Sequence, residues 1–289
     1  MSISLSYVLT TYNKLEYIKV TLPVLINACQ TDEEIVVIDG GSNDGSAEFL
    51  QDLHQQGKIH QFISERDKGE SHGTNKAFLM ARGEVIKIIT DDDAYSFPAI
   101  QRCKQFMLDN PDIDVLGCDG YSYMISNENP EFSLNPFIGN YKRWQQEHVP
   151  FFFCGLSLML RKGSLPILGL FNTSVRMIDV EYTMRITASK CKLAWFTGVC
   201  FVNIANENSN SIKWWKLSMI EREKMDFMYL DRLPLIQFKN RDRIKNIFRP
   251  VKRMLFGKIR NHNRMDFPTA FANARNKIGS DFSSDSFLK

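Results

Sequence analysis

Asp91-Asp92-Asp93 follows the apolar run 85–89 after Thr90. Three consecutive carboxylates repel one another unless a cation accompanies them. Hard oxygen ligands suit Mg²⁺ or Mn²⁺, which typically bind one or two carboxylates together with substrate phosphates. The plainer reading is a solvated turn that caps the next helix. The triplet's place at the end of a buried strand, beside two other polar strand ends, favours the cation. Asp39 closes a second apolar run, 35–38, and leads into Gly40-Gly41-Ser42-Asn43-Asp44-Gly45. Glycines let backbone approach a ligand closely. A carboxylate at that place can accept hydrogen bonds from a base or ribose, while Asn43 or Asp44 caps the helix that begins near Ser46. Neither a Gly-x-Gly-x-x-Gly fingerprint nor a Gly-Lys-Ser/Thr phosphate loop is present. The third polar cluster is Thr10-Thr11-Tyr12-Asn13.

Positioning these clusters requires elements of two periods. Residues 4–10, 35–38, 60–64, 85–89 and 115–117 read as strands, and continuous Ile/Val runs among them fit strands buried on both faces. Residues 14–28, 46–56, 71–81 and 98–110 read as helices, the last opening at Pro98. Strand–helix alternation predicts a doubly wound, mostly parallel α/β sheet, with ligands beyond the carboxyl ends of the strands. The three clusters then share one rim. Residues 121–147 read as an inserted loop region and 149–160 as a buried strand or helix start. A helix is expected over 178–188, opening with Asp179 and Glu181, then a strand over 193–204 and a helix over 212–229.

Thr11-Tyr12-Asn13, Glu34 through Asp39 to Ser46, Ser64-Glu65-Arg66-Asp67-Lys68-Gly69, Asn75-Lys76, Ala81-Arg82-Gly83-Glu84-Val85 and the Asp triplet resemble the successive blocks of a family 2 glycosyltransferase of the GT-A fold. Gly169-Leu170-Phe171-Asn172 and Ile178-Asp179-Val180-Glu181, with Arg185, resemble its acceptor-side block. The resemblance covers about residues 4–205. It implies a GT-A-like sheet, a nucleotide-sugar donor such as a UDP- or dTDP-sugar, Mn²⁺ or Mg²⁺, and inverting transfer to a hydroxyl of a saccharide or lipid-linked saccharide in cell-surface polysaccharide synthesis. By motif position, Thr11, Tyr12 and Asp39 line the nucleobase pocket, and Asp67 and Lys68 lie near base or ribose. Asp91 and Asp92 face the donor and Asp93 holds the metal, with the register of the triplet open by one. Asp179 matches the catalytic base, with Glu181 as fallback. His72-Gly73 departs from the family's Asp-Ala, and Gly155 stands where a His is frequent. The chain is expected to divide into a donor half, 1–120, an acceptor half of the same domain, 121–210, and, beyond the resemblance, a helical basic extension, 211–289. Rival readings are a sugar nucleotidyltransferase, whose Gly-rich basic loop is missing near 4–13, and a non-catalytic carbohydrate-binding protein.

The chain has 289 residues, 44% hydrophobic and 24% charged, which excludes a disordered chain or a fibre. Six scattered cysteines without a Cys-x-x-Cys pair argue against a zinc cluster and for free thiols. The opening residues lack a secretory signal pattern and no run is long enough to span a bilayer, so a cytoplasmic place is expected. The net charge of +3 hides an asymmetry: residues 239–289 hold 13 basic and 4 acidic residues, the remainder 23 and 29. Within 238–264, Ile244, Ile247, Phe248, Val251, Met254, Leu255 and Ile259 form a helical stripe flanked by Lys and Arg. Such a segment either lies on an anionic membrane surface or packs on the body. No nucleic-acid-binding module is present.

Overall fold

The computed structural model describes residues 2–125, 130–205, 215–230, 265–279 and 285–289. Its first block consists of strands β1 (Leu5–Thr11), β2 (Glu33–Asp39), β3 (Gln61–Ser64) and β4 (Val85–Ile89). They are joined by helices α1 (Leu15–Ala28), α2 (Ser46–Gln55) and α3 (Glu70–Met80). All four strands pair in parallel, in spatial order 3-2-1-4. Alternation along β1 sends Leu5, Tyr7 and Leu9 into the core beneath α1, while Val8 enters a second core with Val36, Ile38 and Phe78 of α3. Both faces are covered, which explains why every residue of β2 is buried.

The second block adds β5 (Ala94–Tyr95), α4 (Phe97–Asp109), β6 (Val115–Met124), β7 (Phe132–Asn135), α5 (Ile138–Glu147), β8 (Met159–Arg161), α6 (Leu165–Leu168), α7 (Ile178–Ala188) and β9 (Leu193–Ala205). β8 runs antiparallel between β4 and β6 and stitches the two blocks together, whereas β6 and β9 pair in parallel. The sheet is therefore largely parallel with antiparallel seams, as expected for a GT-A-like fold.

The region 121–147 differs from the expected loop. β6 continues to Met124 because residues 119–124 keep pairing with β9 across a bulge, and β7 and α5 follow. Residues 149–160 form neither a single strand nor a helix. Phe151 and Phe153 are pinned by backbone bonds to the hydroxyls of Thr187 and Thr183, and only 159–161 pair as β8.

Past β9, α8 (Trp215–Leu230) rests on α7 through Met225, and α9 (Phe267–Ile278) buries Ala270, Phe271, Ala274 and Ile278 in the main core. The last strand, β10 (Phe287–Leu288), pairs antiparallel with β9. These parts of the expected extension pack on the sheet and its helices. The basic stripe 238–264 lies outside the described residues.

Candidate active site

The strand order reverses between β1 and β4, and beyond the carboxyl ends at such a switch point open α/β sheets bind their ligands. Thr11 Oγ1 donates across this switch point to Asp91 Oδ2 at 2.8 Å. Register pairs Thr11 with Asp39 and Asp39 with Ser64, which sets the three strand ends at one level. Asp39 is fully buried and organises its own turn. Its Oδ2 accepts from Gly41 N, Ser42 N and Ser64 Oγ, and its Oδ1 from Ser42 Oγ. Gly41 takes φ +81°, and a Cβ there would stand 3.1 Å from Arg66 N, so glycine is required. Asn13, itself at φ 52°, accepts from Asn43 N, and its own N–H donates to Ser42 Oγ. The loops after β1 and β2 are thereby locked to each other.

Asp67 sits between two glycines: a Cβ on either Gly40 or Gly73 would approach Asp67 Oδ2 to 3.1 Å. The Gly73 departure thus leaves room for that carboxylate, whose Oδ1 accepts from Gly69 N. Lys68 is exposed on the same loop, its backbone N–H donating to His72 Nδ1. Tyr12 is 58% exposed and presents its ring at the rim. Trp195 is fully buried, and half-buried Trp144 donates its indole N–H to Thr187 O, so both serve packing. Trp214 and the side chain of Trp215 lie outside the described residues.

The members of the triplet have different surroundings. Asp93 is almost fully buried and accepts at Oδ1 from Ile204 N and Asn203 Nδ2, and at Oδ2 from Thr90 Oγ1. With about four lone-pair sites on a carboxylate, roughly one remains on Oδ2. The described hydrogen bonds engage one oxygen of Asp91 and one of Asp92. Asp92 Oδ2 pairs with Lys14 Nζ at 2.7 Å. Burial, then the charge of Asp92, pushes the Asp91 carboxyl up to about 7 and the Asp93 carboxyl up to about 8. Among the described residues, no three His, Cys, Asp or Glu side chains converge as a complete metal-ligand set. The donor set fits a hard divalent cation held by one or two carboxylates, with the remaining ligands brought by phosphate oxygens.

Asp179 lies in the first turn of α7, half-buried. Its Oδ2 accepts from Gly155 N at 3.2 Å and its Oδ1 from Val180 N at 2.9 Å, which fixes the carboxylate plane. Burial raises its pKa. A Cβ on residue 155 would meet Asp179 Cβ at 3.1 Å, so glycine at that departure lets the carboxylate seat. The neighbouring Cys154 thiol is pushed up by burial and then by the charges of Asp179 and Asp93. The 155–158 segment ties α7 to the strand that ends at the triplet: Gly155 N–H donates to Asp179, and Lys87 of β4 donates to the carbonyls of Leu156 and Leu158. Glu181, the fallback, is committed elsewhere. It is 6% exposed, forms an ion pair with Arg185 at 2.9 Å and accepts from Tyr229 of α8. Arg185 in turn donates to the carbonyls of Leu168 and Leu170. Of the two carboxylates in Asp179-Val180-Glu181, Glu181 is held by side-chain partners, whereas the hydrogen bonds described for Asp179 come from backbone N–H groups.

The model of the family described as glycosyl transferase family 2 matches residues 6–165, more than half of the chain. The chain belongs to that family. TuaG of Bacillus subtilis, a glycosyltransferase whose name assigns it to teichuronic acid biosynthesis, is 25% identical over 134 residues, covering 46% of this chain and 51% of TuaG. The chain thus spans about half the length of this curated relative. The fold is shared with the mannosyltransferase PcManGT of Pyrobaculum calidifontis, solved with GDP-Man and Mn²⁺, at TM-score 0.59, 16% identity, and coverage of 97% of this chain and 77% of that one. It is shared also with S. aureus TarS 1-349, solved with UDP-GlcNAc, at TM-score 0.56, 14% identity, and coverage of 95% and 80%.

Within this family 2 frame, two positioning residues went unassigned in the sequence. Asn75 clamps α3 to the loop before α7: its amide donates to Phe171 O at 2.9 Å and accepts from Phe171 N at 2.8 Å. Phe171 stacks on Tyr182 of α7 at 4.3 Å, which links the donor half to the helix that carries Asp179. Lys14 follows the Thr11-Tyr12-Asn13 motif directly, yet nothing in the local pattern announces a partner 78 positions away.

Proposed function

We propose that the chain is an inverting, metal-dependent glycosyltransferase. It moves a sugar from a nucleotide-diphospho-sugar, a UDP- or dTDP-sugar, to a hydroxyl of a saccharide or lipid-linked saccharide. The carrying observation is the meeting of the polar ends of β1, β2 and β4 at the order reversal, with Asp179 joined to β4 through the hydrogen bonds of the 155–158 segment. Family membership and the donors bound by the two structural neighbours support the donor class. The name of TuaG supports a role in cell-surface polysaccharide synthesis.

Thr11, Tyr12, Asp39, Asp67 and Lys68 line the nucleotide side. Asp39 shapes the turn, Tyr12 offers an exposed ring face, and Lys68 a cation for the anionic donor. Asp91 faces the donor. Asp92, and Asp93 through its remaining Oδ2 lone pair, are the residues that would hold Mn²⁺ or Mg²⁺. Such a cation supplies charge stabilisation to the departing diphosphate. Asp179 takes the proton of the acceptor hydroxyl, oriented by the Gly155 and Val180 N–H groups. Attack from the face opposite the leaving group inverts the anomeric carbon. Among the described residues no helix is long and apolar enough to cross a membrane, and we place the enzyme on the cytoplasmic face, held peripherally through 238–264.

A panel of nucleotide-sugars, scored first by thermal shift and then by sugar release in Mn²⁺, tests this reading. Stabilisation by one donor, followed by transfer that chelation stops, is the expected result. Donor binding without any turnover would leave only a carbohydrate-binding role, and no binding by any member would overturn the donor class.

A further inference from the structure

Lys14 stands where β1 gives way to α1, and its ammonium lies 2.7 Å from Asp92 Oδ2. It is also 4.5 Å from the centroid of the Tyr17 ring. Both partners of the pair are sheltered, with side chains 20% and 16% exposed. A cation so placed answers the local excess of three adjacent carboxylates. It also occupies the carboxylate that a divalent ion needs. Asp93 keeps about one lone pair, so Asp92 is the natural second ligand. An ammonium at hydrogen-bond distance and a divalent ion on one carboxylate repel strongly, and more so where water is scarce. The four-carbon stem of lysine lets the ammonium move several ångströms without any backbone change.

We propose that Lys14 is the resident counter-cation of the triplet, that it competes with the divalent cation for Asp92, and that on loading it transfers to the donor's diphosphate as a positioning residue. This rests on the reading of the triplet as the cation and donor site. It goes further by assigning a second cation, supplied by the chain itself, to each state: on the carboxylate before loading, on a phosphate oxygen afterwards. Charge at the site is then never left uncompensated.

The test compares wild type, Lys14→Met and Lys14→Arg after melting curves have shown the same fold. Mn²⁺ uptake by the nucleotide-free protein is followed by electron paramagnetic resonance, and UDP and uridine binding by calorimetry. Lys14→Met is expected to bind Mn²⁺ about 5- to 150-fold tighter without nucleotide, the usual span of coupling between two sites. The same variant is expected to bind UDP more weakly while binding uridine unchanged, because only the phosphates lose a partner. Lys14→Arg, which keeps the charge, is expected to restore wild-type behaviour in both titrations. Unchanged or weaker Mn²⁺ binding in Lys14→Met overturns the competition, and unchanged UDP binding overturns the transfer to phosphate. Wild-type protein that binds neither UDP nor any nucleotide-sugar overturns the proposed function itself, a result the Lys14 variants do not enter.

Discussion

A carboxyl group held above its ordinary pKa is a stronger base and a scarcer one, and Asp179 carries both consequences. Asp179→Asn keeps shape but cannot take a proton. Turnover should fall roughly 10²-fold or more, the usual scale for a general base, with donor affinity nearly unchanged in calorimetry. The base works only when ionised, so activity should drop as pH falls through its raised pKa. The acid limb of kcat/KM should therefore stand above the ordinary carboxylate range of about 4, and should shift in Asp179→Asn to what the triplet carboxyls alone impose. The linkage to folding has the opposite sense. A carboxyl whose folded pKa is raised binds its proton more tightly in the folded state, so its contribution to stability declines as pH rises through that window. Asp179→Asn should consequently melt higher than wild type near neutral pH and lose that advantage in acid. Glu181→Gln should behave otherwise, lowering the melting temperature, because it leaves the Arg185 guanidinium without its charge partner. Gly73→Ala belongs at the same scale. The new methyl group would meet Thr10 Cγ2 at 3.0 Å and Asp67 Oδ2 at 3.1 Å. Several-fold weaker donor binding with an unchanged melting temperature is the expected calorimetric result; unchanged affinity would remove Asp67 from the donor pocket.

Elements differ in how plainly their residues announced them. The Ile/Val run of β2 and the apolar spacing of α1 are local signals, and both elements lie within two residues of their expected bounds. The three polar strand ends were legible for the same reason, since each follows such a run. β7 and β8 were not legible, because short strands are created by pairing with β6 and β4 and not by their own side chains. α5 was hidden by a largely polar sequence with one fully buried ring, Tyr141, whose hydroxyl donates to Leu193 O and Leu288 O. The engagement of Glu181 was equally out of reach, because Tyr229 reaches it from a helix 48 residues further on. α9 falls in the expected helical extension, and Phe271, 5% exposed, packs in the main core. Phe271→Ala should cost about 3–5 kcal/mol in denaturant unfolding, as large-to-small core changes do. A loss below about 1 kcal/mol would show that α9 contributes little to the body.

At the scale of the whole molecule, the charge is divided between an acidic body and a basic C-terminal region. Residues 238–264 lie between two helices that pack on the body, so truncation before Phe238 would also remove α9 and β10 and could not separate membrane binding from folding. Neutralising Lys245, Arg249, Lys252 and Arg253 to Gln isolates the question. Each basic residue near an anionic surface adds about 1 kcal/mol of attraction, which salt screens. Wild type should sediment with anionic vesicles and be released by high salt. The four-fold variant should remain in the supernatant with unchanged melting and donor binding. Wild type that stays in the supernatant would assign the stripe to packing, and equal sedimentation of both proteins would show that these four charges do not hold it to the membrane. The sheet order has a further consequence, for biosynthesis. β6 pairs with β9, and β9 with β10, so the edge laid down by residue 124 waits for residue 205, and that of residue 205 for residue 288. At translation rates of about 5–20 residues per second, the interval from 124 to 205 lasts roughly 4–16 seconds. Throughout it, the nascent chain presents β6 to the cell as an open parallel edge beside the ribosome, a template on which a neighbouring polypeptide could pair before its own partner strand has been made.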